Sequence, residues 1–464
     1  MDQVEQTLPT FLRSLHTDEW RVRPSGPRGR RLRYEVSDRV VDLADDRQLP
    51  KALAAATKQA TAIGLRALNR EWGQEFYQVP EAAERSEQAA IDTFRVGAPI
   101  IDVQTHFLAP HSAASFNTKY LFDLYQSVMP NWWSEMHDIE AWSFAEYLRN
   151  VFVESETAVA VLTSGPGVLP TRNLFNDEMH AAKILVDGAG ARGRILNHAV
   201  VHADDSGEVG RMAEWRDEFH PVGWKVYTPG RSSRRGWVGG WMLDDEEHGL
   251  PFLQRVNDLN VKLVCAHKGI SHLADNGSPR DVGPAARAFP DIDFVIYHSG
   301  YEMPHDGAAI EGPYLEAAEY EGINRLLASL DAVEMGLNSN VYAELGSTWF
   351  CLMSRPIEAA HVLGKLIKRL GADNVVWGTD SIWFGSPQPL IDAFRTFQIP
   401  DAMCEEFGYE PITDAVRHKI LGANAARVYG IDLEEVAVLK EQHDRSWALE
   451  LADRYQHGHI AVFR

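Results

Sequence analysis

Cysteine is scarce in this chain. Cys265, Cys351 and Cys404 are the only three among 464 residues. So few and so scattered thiols exclude a disulfide framework and a cysteine-based zinc site. The start of the chain also lacks an apolar core behind a basic segment, so it predicts no secretory signal. Together these absences favour a cytoplasmic protein.

Long apolar runs and an excess of positive charge are missing as well. No window reaches the roughly 18 uncharged apolar residues of a membrane span, so we expect no membrane partner. Acidic residues outnumber basic ones by 66 to 45, giving a net charge of −21. This balance argues against a nucleic-acid partner, because phosphate binding needs clustered Lys and Arg. The apolar fraction of 45% is ordinary for a globular protein and excludes bulk disorder.

What the chain does contain is a series of short β-branched runs, each followed by a longer polar or helical stretch. Strands that alternate with helices indicate a parallel sheet, and eight such units predict an α/β fold, a distorted (β/α)8 TIM barrel. The eight runs are IIDVQ from Ile100, TAVAVLT from Thr157, ILNHAVVH from Ile195, GWKVY from Gly223, VKLVCA from Val261, IDFVIY from Ile292, NVYAEL from Asn340 and NVVWGT from Asn374.

The runs divide the chain into three parts. Residues 1–98 are predicted to form a helical N-terminal extension, 99–430 the barrel, and 431–464 a helical C-terminal tail. An insertion rich in Tyr, Trp and Phe lies between the first two strands, from His106 to Thr157. It is expected either to cover the barrel mouth as a lid or to pack in the core or in the interface of a homodimer.

Polar side chains stand at the carboxyl ends of the predicted strands, where barrel enzymes collect their chemistry. Three imidazoles, two carboxylates, an amide and an amine would converge on one mouth, and this composition suits a zinc, iron or manganese site. The predicted metal ligands are Gln104, His106, His267, His298, Glu344 and Asp380, and the predicted catalytic residues are Asp380, Glu344 and Lys225.

Several of these residues have alternative interpretations. Asp380 could merely cap the following helix. Glu344 could be a ligand, a general base or a hydrogen-bond acceptor near the metal. Lys225 could be a buried ion-pair partner or a modified bridging ligand. For Gln104, metal ligation and hydrogen bonding to substrate are equally open, since a neutral amide oxygen is a poor ligand.

The predicted substrate-binding residues are aromatic or basic. Trp132 and Trp133 of the insertion could line the path of a bulky apolar substrate. Lys268, next to His267, could meet an anionic group. Arg234 and Arg235, after the fourth strand, could bind the phosphates of a CoA thioester, or they could belong to a solvated loop.

The motifs at the strand ends, taken in order, resemble the amidohydrolase superfamily, in the branch of the aminocarboxymuconate-semialdehyde and dihydroxybenzoate decarboxylases. The resemblance implies a distorted barrel with one or two divalent metals, held by an HxH on strand one, His on strands five and six, and Asp on strand eight. His106, His267, His298 and Asp380 stand at those places. The matching motifs are IDVQTH at 101–106, WKVY at 224–227, CAHKG at 265–269, IYHSG at 296–300 and VWGTDSIWFGSPQ at 376–388.

Gln104 departs from this pattern, because it stands where the family places its first His. Glu154 or Glu156, near strand two, could add a carboxylate, and a shift from imidazole to oxygen ligands favours iron over zinc. The chain also resembles the non-heme diiron monooxygenases of this fold that hydroxylate a CoA-tethered diterpenoid in antibiotic biosynthesis. That resemblance implies two irons and O₂ as co-substrate, while zinc or manganese would suit a hydrolase or non-oxidative decarboxylase. A barrel that lost its activity with its first His is the third interpretation.

Overall fold

The computed structural model of the chain describes residues 23–25, 33–36, 39–42 and 49–463, with short internal gaps. The gaps lie at 96, 98, 114–117, 120–121, 124, 127–128, 131–132, 134–135, 137, 168–171, 234–235, 271–274, 303–310, 442–444 and 461–462. No helix of the described residues is long and apolar enough to cross a membrane.

The N-terminal extension contains strands as well as the predicted helices. Three short strands form an antiparallel sheet that the sequence analysis did not predict, and three helices follow it. These elements are β1 (Arg23–Ser25), β2 (Arg33–Val36), β3 (Arg39–Asp42), α1 (Leu49–Trp72), α2 (Ala82–Arg85) and α3 (Glu87–Thr93).

Eight parallel strand segments build the barrel, in the places that the eight apolar runs predict. The strands are mostly apolar and almost wholly buried, as expected where helices cover a parallel sheet. In chain order they are β4 (Ile100–Thr105), β5 (Thr157–Leu162), β6 (Ile195–Asn197) with β7 (Ala199–Val201) as one interrupted third strand, β8 (Trp224–Tyr227), β11 (Leu263–His267), β12 (Asp293–Tyr297), β13 (Val341–Glu344) and β14 (Val375–Val376). A small hairpin, β9 (Arg231–Ser233) and β10 (Gly236–Val238), follows β8.

Backbone hydrogen bonds close the barrel between its first and last strands. Parallel pairing links β4, β5 and β6 in one sheet and β7, β8, β11, β12, β13 and β14 in another, and Asn197 and Ala199 join the two through His198. On the other side, the Val103 N–H donates to the Trp377 carbonyl, and the Asp380 N–H donates to the Gln104 carbonyl at 2.9 Å. The segment after β14 therefore completes the ring against β4.

Helices alternate with these strands, and further helices follow the last strand. Those up to the eighth strand are α4 (Pro110–Ala113), α5 (Phe144–Leu148), α6 (Asn176–Gly188), α7 (Ser206–Phe219), α8 (Gly249–Leu259), α9 (Val282–Ala288), α10 (Asn324–Asp331), α11 (Gly346–Leu352) and α12 (Pro356–Leu370). Those after it are α13 (Gln388–Thr396), α14 (Asp401–Phe407), α15 (Asp414–His418), α16 (Asn424–Tyr429), α17 (Leu433–Glu441) and α18 (Ser446–Gln456).

The C-terminal tail packs against the aromatic insertion. Tyr455 of α18 meets the ring of Phe144 edge-on at 5.4 Å between centroids, and Phe463 lies 5.1 Å from the ring of Phe107. Arg149 joins the two segments through an ion pair with Asp453. The tail thus supports the insertion from outside.

Glu154 and Glu156 do not join the barrel mouth. Both precede β5, so they lie beside the amino end of the second strand, while the predicted ligands lie at carboxyl ends. Glu156 forms ion pairs with Lys58 at 2.8 Å and Arg395 at 2.9 Å. Burial raises the pKa of Glu154 to about 7, which disfavours a charged ligand there. The prediction that Glu154 or Glu156 adds a carboxylate to the site is therefore wrong.

Candidate active site

Asp380 is the centre of the polar cluster at the barrel mouth. Its Oδ1 accepts a hydrogen bond from Gln104 Nε2 at 2.9 Å and lies 2.9 Å from His106 Nε2. The Trp383 indole N–H also donates to this oxygen, at 3.1 Å. The Ser347 hydroxyl donates to Oδ2. Burial by itself would raise the pKa of Asp380, but the bond and charge of His106 hold it below its ordinary value. The carboxyl is therefore kept ionised.

Gln104 and His106 face the same side of β4, as their i, i+2 spacing predicts. Both reach Asp380, and the Nδ1 of His106 lies 3.1 Å from the Thr163 carbonyl. The amide nitrogen of Gln104 donates to Asp380, so its Oε1 is the remaining polar atom of the side chain. This oxygen is buried and has no hydrogen-bond partner among the described residues.

Glu344, at the end of β13, brings a second carboxylate into the cluster. Its Oε2 accepts the backbone N–H of His298 at 2.9 Å, and its Oε1 is buried without a partner in the described part of the chain. Burial is the main cause that raises the pKa of Glu344 to about 8. The side chain therefore stays largely protonated near neutral pH, unless a cation binds to it.

A glycine shows how closely the donors converge. A Cβ on Gly346, whose φ is +36°, would lie 2.7 Å from Gln104 Oε1 and 2.8 Å from both Glu344 Oε2 and His298 Nδ1. Three polar atoms on three different strands therefore surround one point at the start of α11. Only a residue without a side chain fits there.

The two histidines of strands five and six lie side by side. The rings of His267 and His298 have centroids 4.9 Å apart, and Tyr227 stacks on His267 at 5.0 Å. Burial holds the pKa of His298 down to about 4 and that of His267 well below its ordinary value. Both imidazoles are therefore neutral, the form in which histidine binds metals.

Backbone strain is present at two of these strand ends. His298, Ser299 and Asp380 have φ values of 58°, 55° and 60°, in the left-handed region that non-glycine residues rarely adopt. Such strain of about 1–3 kcal/mol per residue persists where surrounding structure imposes it, commonly at functional sites.

Lys225 lies beneath the cluster, inside the barrel. Its Nζ stands 3.2 Å from the ring centroid of Tyr297 and 4.8 Å from that of Tyr227, and it has no hydrogen-bond partner among the described residues. Burial lowers the pKa of Lys225 to about 7. It forms no ion pair in the described structure, so the ion-pair interpretation is not the one observed.

Aromatic side chains cover the cluster. Trp383 stacks on His106 with centroids 5.2 Å apart, and Tyr125 of the insertion stacks on Trp383 at 6.5 Å. Trp142 meets Trp383 edge-on at 4.9 Å. Trp133 is 3% exposed and packs on Phe350, so it belongs to the buried part of this cover.

One predicted substrate-binding residue, Lys268, is engaged away from the cluster. Lys268 is fully buried, and its ammonium donates to Asp281, Asn276 and Ser278, so we do not include it in the substrate site. Trp132, Arg234 and Arg235 fall outside the described residues.

Sequence reasoning gave no role to Ser347, Trp383 or Tyr125. Ser347 directly follows Gly346 in ELGST, and Trp383 stands three residues after Asp380 in a motif that was already recognised. Their position next to strand-end carboxylates was the available signal. Tyr125 had none, because only the folded insertion brings it to the mouth.

The donors fit a divalent cation by their chemistry. No three His, Cys, Asp or Glu side chains of the described ranges are arranged to hold a metal ion as they stand, which agrees with Asp380 and His106 bonding to each other. However, three buried atoms that could coordinate a metal have no hydrogen-bond partner among the described residues. They are Gln104 Oε1, His298 Nδ1 and Glu344 Oε1. Imidazole, carboxylate and amide donors of this kind suit a transition metal.

Comparison with known proteins gives the family. The sequence model described as Amidohydrolase matches residues 101–431, more than half of the chain. This chain therefore belongs to the amidohydrolase family, whose members are metal-dependent enzymes. No curated protein matches the chain significantly.

Solved structures show a more distant likeness. An uncharacterised TIM-barrel protein from Bordetella bronchiseptica is 13% identical, with a TM-score of 0.47 over 73% of this chain and 99% of its own. The 2,6-dihydroxybenzoate decarboxylase from Rhizobium is 15% identical, with a TM-score of 0.42 over 72% and 99%. The 5-carboxyvanillate decarboxylase from Novosphingobium aromaticivorans, solved with manganese and a nitrobenzoic acid, is 12% identical, with a TM-score of 0.43 over 72% and 96%. Similarity at this level does not show that this chain catalyses the same reactions.

Proposed function

We propose that this chain is a divalent-metal-dependent hydrolase or non-oxidative decarboxylase that acts on a small molecule at the barrel mouth. The observation that carries the proposal is the Asp380 carboxylate, held ionised by donors from strands one and eight and from α11. A fixed, buried carboxylate beside neutral imidazoles is the arrangement required for proton transfer next to a bound cation.

The residues that would hold a cation are His106, His267, His298 and Asp380, with Gln104 and Glu344 beside them. Zinc or manganese would activate water or polarise a carboxylated substrate there. The chain's own residues supply the remainder. In hydrolysis, the Asp380 carboxylate takes the proton of the attacking water. In decarboxylation, the Asp380 carboxylate would first take a proton from the substrate's own acidic group or from solvent, and then deliver that proton to the carbon that loses CO₂.

The aromatic cover has a separate part in this proposal. Trp383, Tyr125 and Trp133 shield Asp380 from bulk solvent, which strengthens the hydrogen bonds around it. We also propose that Trp132 and Trp133 contact an apolar portion of the substrate. Trp133→Ala should then raise KM more than it lowers Tm, and the opposite result assigns the segment to packing alone.

The test of the reaction begins with the metal. Protein purified without added metal is analysed for zinc, manganese and iron, and is then assayed against aromatic carboxylates and lactones with and without O₂. One zinc or manganese per chain and turnover without O₂ support the proposal. Activity that survives complete removal of metal contradicts it.

A diiron monooxygenase is the second candidate, favoured by Gln104. An amide oxygen replaces the imidazole that the family places on strand one, and its unpartnered Oε1 adds to the oxygen donors of Glu344 and Asp380. Oxygen-rich donor sets suit iron better than zinc. Two irons per chain with O₂-dependent hydroxylation would replace the leading proposal.

A CoA-tethered substrate belongs to this second candidate. We propose Arg234 and Arg235 as contacts for its phosphates. Reversing both charges to Glu should weaken binding of a CoA thioester and leave the free acid unaffected. Equal effects on the two would remove the CoA assignment. We also propose a homodimer, which light scattering of the purified chain tests.

A further inference from the structure

Trp383 contacts both the polar cluster and its aromatic cover. Its indole N–H donates to Asp380 Oδ1 at 3.1 Å, and its ring stacks on His106 with an interplanar angle of 26°. Its other sides meet Trp142 at 4.9 Å and Tyr125 at 6.5 Å, both from the insertion. Trp383 is 9% exposed, so solvent reaches little of it.

These contacts constrain the two groups that Trp383 touches. A carboxylate can rotate about its χ2 with little resistance unless donors fix its oxygens. Trp383 supplies one of three donors near Oδ1, and its ring blocks tilting of the His106 imidazole. Side chains that orient ligands in this way commonly change metal affinity 10- to 100-fold when they are removed.

The insertion can act on the cluster through the same ring. Tyr125 stacks nearly parallel to Trp383, with an interplanar angle of 11°, while Trp142 lies nearly perpendicular, at 79°. Held between these two, the indole cannot turn without displacing an aromatic of the insertion. Offset-stacked and edge-to-face contacts of this kind are favourable beyond the area that they bury.

We infer that Trp383 is a positioning residue that orients His106 and Asp380 for the cation and makes their orientation depend on the aromatic insertion. The inference rests on the proposed function. It extends that function, because it gives the insertion a part in building the site in addition to covering it.

The first test separates the indole N–H from the ring. Trp383→Phe keeps an aromatic ring but removes the donor, so the metal-stripped variant should bind Mn²⁺ about 10-fold more weakly in a calorimetric titration. Trp377→Phe is the matched control. Trp377 is a fully buried tryptophan of the same segment, and its Nε1 has no hydrogen-bond partner among the described residues. The control should bind Mn²⁺ within about twofold of the wild type.

The second test addresses the coupling to the insertion. Trp142→Leu should weaken Mn²⁺ binding in the wild type but add little in the Trp383→Phe background, because both changes act through one side chain. Independent, additive effects would overturn the role of the insertion. Unchanged affinity in Trp383→Phe, or equal losses in Trp383→Phe and Trp377→Phe, would overturn the positioning role.

Failure of the proposed function gives a different result. If the wild type binds neither Mn²⁺ nor Zn²⁺, the metal proposal fails by itself. The positioning role is then decided by a crystal structure of metal-free Trp383→Phe. Changed rotamers of Asp380 and His106 support it, and unchanged rotamers overturn it.

Discussion

Two buried polar clusters lie at opposite ends of the barrel strands, and they are built differently. The basal cluster (Lys58, Glu156, Asp392 and Arg395) pairs opposite charges, with Lys58 lying 2.8 Å from Glu156 and 3.1 Å from Asp392. At the mouth, Gln104, His298 and Glu344 of the polar cluster and Lys225 beneath it each instead leave one polar atom buried without a partner in the described structure; these four and Asp380 are called the mouth cluster below.

The difference shows in the charges that the two clusters stabilise. Among the basal carboxylates, burial raises the pKa of Asp392, whereas Arg395 and Lys58 hold the pKa of Glu156 well below its ordinary value. At the mouth, burial is the main cause that raises the pKa of Glu344 and lowers that of Lys225, while the bond and charge of His106 hold the pKa of Asp380 down. The basal cluster therefore fastens α1 to the barrel, whereas the mouth cluster keeps donors available at a cost in stability.

Two isosteric changes should separate these roles most strongly. Asp392→Asn breaks a buried ion pair, so we expect the free energy of unfolding to fall by about 3 kcal/mol, with metal affinity unchanged. Asp380→Asn removes a proposed ligand, so metal affinity should fall about 100-fold or more, with stability within about 1 kcal/mol of the wild type. Urea unfolding of the metal-free chains and Mn²⁺ titration measure the two quantities. An equal loss of stability in the two variants would contradict the different roles of the basal and mouth clusters.

Replacing the two buried lysines should have effects of opposite sign. Lys225→Met removes an amine that must be charged below its pKa of about 7, so it should stabilise the chain by about 2 kcal/mol at pH 6. The gain should shrink as pH rises from 7 towards the ordinary lysine pKa of 10.5, because the unfolded chain then also loses its charge. Lys58→Met, which breaks the basal ion pairs, should destabilise the chain at pH 6. A destabilised Lys225→Met at that pH would contradict the comparison.

Substitutions at two glycines test whether the atoms that converge at the mouth bind the cation. Gly346→Ala adds a Cβ against Gln104, Glu344 and His298, whereas a Cβ on Gly430, at φ +65°, meets no atom within 4 Å. Both changes strain the backbone by about 1–2 kcal/mol. Gly346→Ala alone should also weaken Mn²⁺ binding, by about 10-fold. Equal metal affinity in the two variants would mean that the convergent donors do not bind the cation.

The smallest expected effect concerns metal preference. Gln104→His restores the imidazole of the family pattern, so it should raise the affinity for Zn²⁺ relative to Fe²⁺ by about threefold or more. Competition between the two ions under anaerobic conditions measures this ratio. An unchanged ratio would remove Gln104 from the metal's surroundings.

Periodicity and spacing predicted the barrel well but predicted the surroundings of the site poorly. The eight apolar runs are long enough to identify each strand, and strand ends bring His106, His298 and Asp380 together by topology alone. Lys268 shows the limit of this reasoning. It follows a strand end like the others, yet Asp281 captures its ammonium, and only the folded loop places that carboxylate there. Glu156 stands next to a barrel strand as well, but it precedes that strand and therefore lies at the opposite end.

The closure of the barrel has a consequence for how the molecule is made. Gln104 and Asp380 meet across the seam between the first and last strands, although 276 positions separate them along the chain. A ribosome must release the segment after β14 before the carboxylate can find its donors. Contacts of such long range slow folding. We therefore expect nascent chains that stop before Asp380 to bind no metal at this site, and the complete chain to acquire it only after this seam has closed.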